Sequence, residues 1–286
     1  MEFFIKLGKL DRRYIFILIG LSVLLPLLKP DWFALAVRPT PQSQRVFNEI
    51  DSLDDRSNIL ISFEYGPSTR PEIHPMAIAL LRQVFSRNHK VYITALWPDG
   101  VFMANEALDL VSKEFGVKKY EDYVNLGYRP GGEAVVKGIA SDIKELYKQD
   151  VDQKMIKEIP MMDEINNVKD FDFVFSLSSG TPGSKEWVQY ASDPHGIPMS
   201  TGCTSIQVTD LVPYVENNQI RGILAGMPGA AEYESLVKSN LEGKQIFLSS
   251  GEATSMMSAQ SIAHLVIVIF IVLGNVTYFL ERRKLK

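Results

Sequence analysis

NILISFEYGP at residues 58–67 is an apolar run of strand length that ends in a Gly-Pro turn. It is followed by residues 76–85, where Met76, Leu80 and Val84 recur at helical spacing. This order of strand, turn and helix repeats along the chain as far as residue 237. Strands that alternate with helices need crossover connections, which favour parallel pairing with helices packed on both faces of the sheet.

The sequence therefore predicts an α/β fold, a mostly parallel sheet with helices on both faces, of the Rossmann-like or flavodoxin-like class. The strand order is left open. The predicted strands cover 58–63, 91–95, 123–126, 171–177, 197–201 and 221–225. The predicted helices cover 45–53, 76–85, 102–115, 133–147, 185–191, 205–216 and 230–237. The polar segment 149–170 has no clear periodicity.

An apolar segment near the amino terminus, residues 14–28, is an uncharged run of 15 residues. A helix that crosses a bilayer needs about 20 residues, and Trp32 and Phe33 extend this run into the interface. We predict a transmembrane helix over 14–33, in which Pro26 kinks or ends the helix. A cleaved signal peptide is the alternative, since the basic start and the sequence Ala34-Leu35-Ala36 also fit that pattern.

A second apolar segment, residues 262–280, is a run of 19 residues without Asp, Glu, Lys or Arg. It predicts a transmembrane helix over 260–280. His264 and Asn275 lie inside it, and we interpret Asn275, beside Gly274, as a contact with a neighbouring helix rather than as a functional site.

Basic residues flank the two predicted spans on their outer sides, and such residues mark the cytoplasmic face of a membrane. The predicted organisation is a cytoplasmic tail at 1–13, an extracytoplasmic α/β domain at 34–258 and a second cytoplasmic tail at 281–286. This is a two-pass protein of the cell membrane with both termini in the cytoplasm. The flanking residues are Lys6, Lys9, Arg12, Arg13, Arg282, Arg283, Lys284 and Lys286.

The charge of the predicted domain argues against some partners. Residues 31–258 contain 21 Lys and Arg against 31 Asp and Glu, a net charge of −10, although the whole chain is at −4. An acidic surface repels phosphate backbones, so no nucleic-acid partner is expected. The single cysteine, Cys203, is interpreted as a small buried packing residue rather than a nucleophile.

The turns after the predicted strands are rich in Gly and Pro and precede helices. Since the carboxyl ends of parallel strands meet at one edge, these turns are expected to form a common rim where a ligand binds. Glycine turns and helix starts present free N–H groups that hold anions, and Arg129 would add a bidentate clamp. The alternative is that tight strand-to-helix turns need Gly and Pro in any case. The predicted ligand-binding residues are Arg129, Gly131, Gly132, Ser179, Gly180, Gly226 and Gly229.

Catalytic candidates are limited to three carboxylates at the same rim, Glu64, Asp99 and Glu133. Glu64 and Asp99 each follow a predicted strand, so they are candidates for an acid–base pair, for binding a cation, or for the caps of turns and helices. The four histidines lack zinc spacing, and no phosphate-loop, dinucleotide or nucleophile-elbow motif is present. No metal and no cofactor is expected.

Four segments carry a resemblance to known sequences: 61–67 (ISFEYGP), 123–139 (YVNLGYRPGGEAVVKGI), 229–234 (GAAEYE) and 259–275 (AQSIAHLVIVIFIVLGN). In them the chain resembles an uncharacterised family of prokaryotic membrane proteins with an α/β domain between two terminal transmembrane helices. The resemblance implies the architecture and no activity.

Three functional hypotheses fit these patterns. The first is a membrane-anchored extracytoplasmic binding or scaffold domain, a component of a larger membrane assembly that contacts the lipid bilayer and copies of itself or other membrane proteins. The second is an extracytoplasmic hydrolase of a small anionic or glycan-like substrate, with Arg129 binding the anion. The third is a tethered solute receptor with a deep cleft.

Overall fold

The computed structural model describes residues 11–33, 36–242 and 251–284. The chain divides into two compact units. One runs from Val37 to Ala253. Its strands are β1 (Asn58–Glu64), β2 (Lys90–Ala95), β3 (Tyr123–Tyr128), β4 (Phe173–Ser178), β5 (Met199–Cys203) and β6 (Ile223–Ala225), and its longer helices are α1 (Pro41–Asp51), α2 (Arg70–Ser86), α3 (Pro98–Phe115), α4 (Glu133–Ser141), α5 (Val208–Glu216) and α6 (Gly226–Leu241). The other contains the N-terminal helix and the C-terminal helix from Thr254 onward.

The six strands form one sheet in the order β3-β2-β1-β4-β5-β6, and every neighbouring pair is parallel. This is the strand order of the doubly wound Rossmann fold, which confirms the predicted α/β class and excludes the flavodoxin order.

Helices cover both faces of this sheet. On one face α2 packs against α3 and α6, and on the other α4 and α5 lie with several short helical turns over a shared apolar core. Along β1, Leu60 joins that core, while Ile59 and Ile61 are completely buried on the opposite face, as the two-residue period of a strand requires. The short turns are Pro67–Thr69, Ile143–Leu146, Ile156–Glu158, Pro160–Met162, Val168–Asp170, Ser184–Trp187, Val188–Ser192 and Asp193–His195.

Three helices begin one to two turns before their predicted starts, α1 at Pro41, α2 at Arg70 and α3 at Pro98. Each has proline at its first or second position. Proline suits the first turn because its missing N–H would have no partner there. The apolar periodicity begins only one to two turns later, so it predicts starts that lie too far along the chain.

The predicted helix 133–147 is divided at Asp142, which takes an extended conformation with φ −153°. Its carboxylate accepts a hydrogen bond from the Glu145 backbone N–H at 2.9 Å and caps the short helix Ile143–Leu146. The predicted strand 197–201 is displaced to Met199–Cys203, since Pro198 lacks the N–H that a central strand donates.

The terminal helices are Arg12–Leu28, followed by the short Pro30–Phe33, and Glu252–Lys284. Among the described residues, one helix is long and apolar enough to cross a membrane, over Glu252–Leu280. The N-terminal helix has 17 residues and ends before Pro30, and Pro26 lies inside it rather than at its end. Within the C-terminal helix the Asn275 amide donates to the Ile271 carbonyl at 2.8 Å, so its own helix provides it with a hydrogen-bond acceptor.

The close packing of α3 on β1 can be tested at Gly100. A Cβ atom at this position would overlap the Phe63 carbonyl oxygen, and the backbone of β1 has no room to move. We expect Gly100→Ala to lower the free energy of unfolding by about 1–3 kcal/mol, measured by denaturant unfolding of the full chain in detergent. Gly138→Ala in α4 is the control, because its Cβ would meet only the flexible end of Leu146. That variant should be neutral or more stable by up to about 1 kcal/mol, and an equal loss in both variants would contradict the close contact.

Candidate functional site

The carboxyl end of β1 is the point where the strand order reverses, since β2 lies on one side of β1 and β4 on the other. Ligands of doubly wound sheets bind in the crevice at this point. Here it contains Glu64, the last residue of β1, whose side chain is completely buried.

The Glu64 carboxyl group is held by hydrogen bonds on both oxygens. Its Oε1 atom accepts from the Trp187 indole N–H at 2.9 Å and from the Ser62 hydroxyl. Its Oε2 atom lies 2.9 Å from the Ser176 hydroxyl of β4. Glu64 therefore ties β1 to β4 and to the helical turn that contains Trp187.

A chain of hydroxyl groups continues from Oε2. The Ser176 Oγ atom lies 2.9 Å from Ser184 Oγ, which lies 2.6 Å from Thr201 Oγ1. The Thr201 hydroxyl donates to the Ser176 carbonyl oxygen at 2.9 Å. From Glu64 to that carbonyl there are four contacts, and the three hydroxyl groups supply only three hydrogens. The fourth hydrogen fits on Oε2, so the contacts are all satisfied when Glu64 is a neutral carboxylic acid.

The electrostatics of the site agree with this hydrogen count. The pKa of Glu64 is raised from its ordinary value of 4.5 to about 8, mainly by burial and to a smaller extent by the nearby Glu186 carboxylate. The hydrogen bonds that Glu64 accepts oppose this shift in pKa without cancelling it. A buried neutral acid without solvent access serves as an internal hydrogen-bonding group. This role differs from the catalysis and the capping that the sequence predicts for Glu64.

Above Glu64 the crevice is closed by the loop that follows β4. The Ser179 N–H and hydroxyl both reach the Glu64 carbonyl oxygen, at 2.9 and 3.1 Å. The Trp97 ring lies against Gly180, and its indole N–H donates to the Pro182 carbonyl oxygen at 2.8 Å. The predicted ligand residues Ser179 and Gly180 thus contact the protein's own backbone and Trp97.

The other two candidate carboxylates lie at helix starts. Asp99 is the second residue of α3, and Glu133 is the first residue of α4. Both are exposed, and an acidic first turn suits the positive end of the helix dipole. Glu133 forms an ion pair with Lys137, which lowers the pKa of the Glu133 carboxyl. Among the described residues, neither carboxylate has a hydrogen bond to Glu64, and the acid–base pair stays a prediction.

Arg129 follows β3, and its guanidinium lies 5.2 Å from the centre of the Tyr147 ring, a cation–π contact. Its Nε atom is buried and has no hydrogen-bond partner within the described part of the chain. Gly131 and Gly132 follow after Pro130, with φ of +134° and +52°, values that favour glycine. These three predicted residues are adjacent to one another and to the start of α4, where no side chain caps the helix.

The remaining two predicted residues occupy different surroundings. Gly226 lies against the Glu72 carboxylate and Ser205, so an acidic oxygen already occupies the space beside this loop. Gly229 packs on the Leu224 backbone and lines a cavity of about 520 Å³ beside β6. That cavity is mostly apolar, with Val208, Val212, Val215 and Ile223 among its lining residues. The seven predicted ligand residues therefore do not share one pocket.

The sequence pattern did not identify the hydroxyl side chains that surround Glu64 as part of this site. Ser62 and Glu64 lie two positions apart in the strand, so their side chains share one face of the sheet, and this spacing was the available signal. Cys203 ends β5 and is buried, and burial raises the pKa of its thiol to about 12, as a packing residue requires. No group of three metal-ligating side chains occurs in residues 11–33, 36–242 and 251–284.

Glu64→Gln tests the protonation of the buried acid. The folded chain keeps this proton up to about pH 8, while the unfolded chain releases it near 4.5, so unfolding becomes easier as pH rises across that interval. We expect the free energy of unfolding to fall by up to about 1.4 kcal/mol per pH unit. The glutamine amide reproduces the donor and acceptor of the neutral acid, so Glu64→Gln should remove this slope.

The measurement is denaturant unfolding of the full chain in detergent at several values between pH 5 and 8. The exposed carboxylate variant Asp99→Asn serves as control and should keep the wild-type slope. A slope unchanged in Glu64→Gln, or a large loss of stability in that variant at pH 5, would contradict a neutral Glu64.

Comparison with known proteins adds no assignment to this geometry. The sequence matches no protein-family profile and no curated protein. The resemblance to two-span prokaryotic membrane proteins stays a prediction.

Proposed function

We propose that the chain is a membrane-anchored binding or scaffold domain, held outside the cytoplasm by two transmembrane helices with both termini inside. In this proposal it is a component of a larger membrane assembly with copies of itself or with other membrane proteins. The activity is recognition rather than catalysis.

The C-terminal helix carries the proposal. Over Glu252–Leu280 it is long and apolar enough to cross a bilayer. Its large aliphatic side chains face outward, with Leu265 and Ile271 exposed at 60% and 58%. Contiguous apolar surface of this extent is unfavourable in water and favourable in lipid. This exposure supports membrane insertion over a role as a buried core helix.

The N-terminal helix supports a second anchor. Its 17 residues span roughly 26 Å at 1.5 Å per residue, close to the roughly 30 Å hydrocarbon thickness of a bilayer. Tyr14 and Phe16 are exposed on it, and the exposed Trp32 follows in the position expected of an interfacial residue.

The arrangement of carboxylates favours binding over hydrolysis. The most perturbed acid, Glu64, is enclosed and fully hydrogen-bonded, so it cannot reach a substrate. Asp99 and Glu133 are the carboxylates left for the hydrolase alternative, and each has the pattern of a helix-start residue. Arg129 remains the best candidate to bind a small anionic group.

Anchoring and topology are tested with single cysteines in intact cells. We expect carbonate washing to leave the chain in the membrane. A membrane-impermeant maleimide should label Asp109→Cys, an exposed position of α3, and should not label a cysteine appended after Lys286 until the cells are lysed. The unsubstituted chain is the blank, because Cys203 is buried.

Labelling of the appended cysteine in intact cells would contradict the proposed topology, and release by carbonate would contradict anchoring. Extraction in mild detergent followed by native mass measurement checks the assembly. A clean monomer without co-purifying protein would argue against the scaffold role.

The anion site is tested with inorganic phosphate as the probe. Arg129 offers an N–H group that has no partner among the described residues. Phosphate at well above its dissociation constant should therefore raise the melting temperature of the full chain by a few degrees, equivalent to about 1–3 kcal/mol. Arg129→Gln should abolish this shift and Arg129→Lys should retain part of it. Arg87→Gln, which removes a partly exposed arginine paired with Asp51, is the control. Equal phosphate effects in all variants would exclude Arg129 as the site.

A further inference from the structure

The cavity beside β6 is formed within the α/β unit. The described residues that line it come from the start of α1, from α5, from the end of β6 and from the first turns of α6. Its volume of about 520 Å³ falls within the range of small-molecule sites, roughly 300–1,000 Å³. The cavity is therefore large enough to hold a small organic molecule.

One wall of this cavity is an apolar stripe of α5. Val208, Val212 and Val215 lie at positions i, i+4 and i+7 of that helix, so their side chains share one face. Val215 and Ile223 of β6 are buried, whereas Val212 is 37% exposed and lies where the cavity opens to solvent. An apolar group that enters the cavity leaves water and packs against these side chains, which favours binding.

The charged side chains that line the cavity are both acidic. Glu216 of α5 and Glu232 of α6 line it, and its described lining residues include no Lys, Arg or His. Neither carboxylate forms an ion pair within the described part of the chain. A positively charged group in the cavity would therefore be attracted by two carboxylates without competition from a cationic side chain in its lining.

The Glu232 carboxylate is held in place by the start of α1. Its Oε2 atom accepts from the Thr40 N–H at 3.0 Å and from the hydroxyls of Thr40 and Ser43, each at 2.7 Å. These three donors are neutral, so they orient the carboxylate and leave its negative charge uncompensated. In residues 11–33, 36–242 and 251–284 no hydrogen bond reaches Oε1. That oxygen can accept a charge-assisted hydrogen bond from a ligand.

We infer that this cavity binds a small apolar molecule that carries a protonated amine. The apolar part packs against the valines of α5 and Ile223, and the ammonium group pairs with the carboxylates of Glu232 and Glu216. Arg129, the candidate for anions, follows β3 at the opposite edge of the sheet, so the two sites are separate. The inference goes beyond the proposed anchoring and scaffold role and rests on neither.

The test measures the melting temperature of the full chain in detergent with n-hexylammonium as the probe. Hexanoate, which has a chain of the same length and the opposite charge, is the matched ligand control. We expect hexylammonium at about ten times its dissociation constant to raise the melting temperature by about 2–5 °C. Hexanoate should leave it unchanged. The absence of a shift with hexylammonium at any concentration, or an equal shift with hexanoate, would overturn the inference.

The apolar wall is tested by filling the cavity. Val212→Trp places a large ring at the opening and should abolish the shift caused by hexylammonium. Leu110→Trp is the control and should keep the shift, because Leu110 is similarly exposed, at 45%, and is not among the residues that line the cavity. Each variant is compared with its own melting temperature without ligand, so that a loss of stability is distinguished from a loss of binding. A full shift in Val212→Trp would place the probe elsewhere and overturn the site.

The charge is tested separately on the exposed residue Glu216, whose replacement should not disturb folding. Glu216→Gln should weaken hexylammonium binding about fivefold, since one of the two attracting charges is removed. Asp210→Asn is the control, because it removes one negative charge from the same helix at a position outside the cavity lining. It should keep the wild-type affinity. Equal affinities in Glu216→Gln and Asp210→Asn would contradict a role of Glu216 in binding the ammonium group.

Discussion

The hydrogen bonds of Glu64 across β1 and β4 are the constraint on which the centre of this fold depends. A carboxyl group at the point where the strand order reverses would be costly if it were charged and unpaired. The surrounding hydroxyl groups and the Trp187 indole satisfy it as a neutral acid. At this point of the sheet, where doubly wound folds bind ligands, the buried carboxyl group is thereby paired with the chain's own hydroxyl and indole groups.

Two further features lie away from this point of the sheet. Arg129, beside the two glycines that precede α4, has an Nε–H group without a hydrogen-bond partner among the described residues. The apolar cavity lies at β6, the edge strand opposite β3. The two features therefore do not form one ligand pocket.

Much of the fold could be predicted from local patterns, because strands and helices leave periodic signals within ten or so residues. The six strands and the crossover helices left such periodic signals. The strand order could not be predicted, since it depends on contacts such as that between Glu64 and Ser176, which are 112 positions apart. The helix starts were placed late because Pro41 and Pro98 open their helices before the apolar stripe begins. The glycine turns at the rim could be recognised in the sequence. Which of them pack against another part of the protein, as Gly180 packs against Trp97, depends on tertiary contacts that the local sequence does not contain.

The burial of Cys203 determines when its thiol can react with oxidants or alkylating reagents. Its thiol is at the end of β5, enclosed in the sheet, and its sulfur carries a proton at neutral pH. An oxidant or alkylating reagent can reach it only when the helix-covered core on that face of the sheet opens, so the rate of thiol modification reports the opening of this core. Two copies that become covalently linked through this sulfur must each have opened there first, which makes a disulfide-linked dimer a record of past unfolding rather than of native contact.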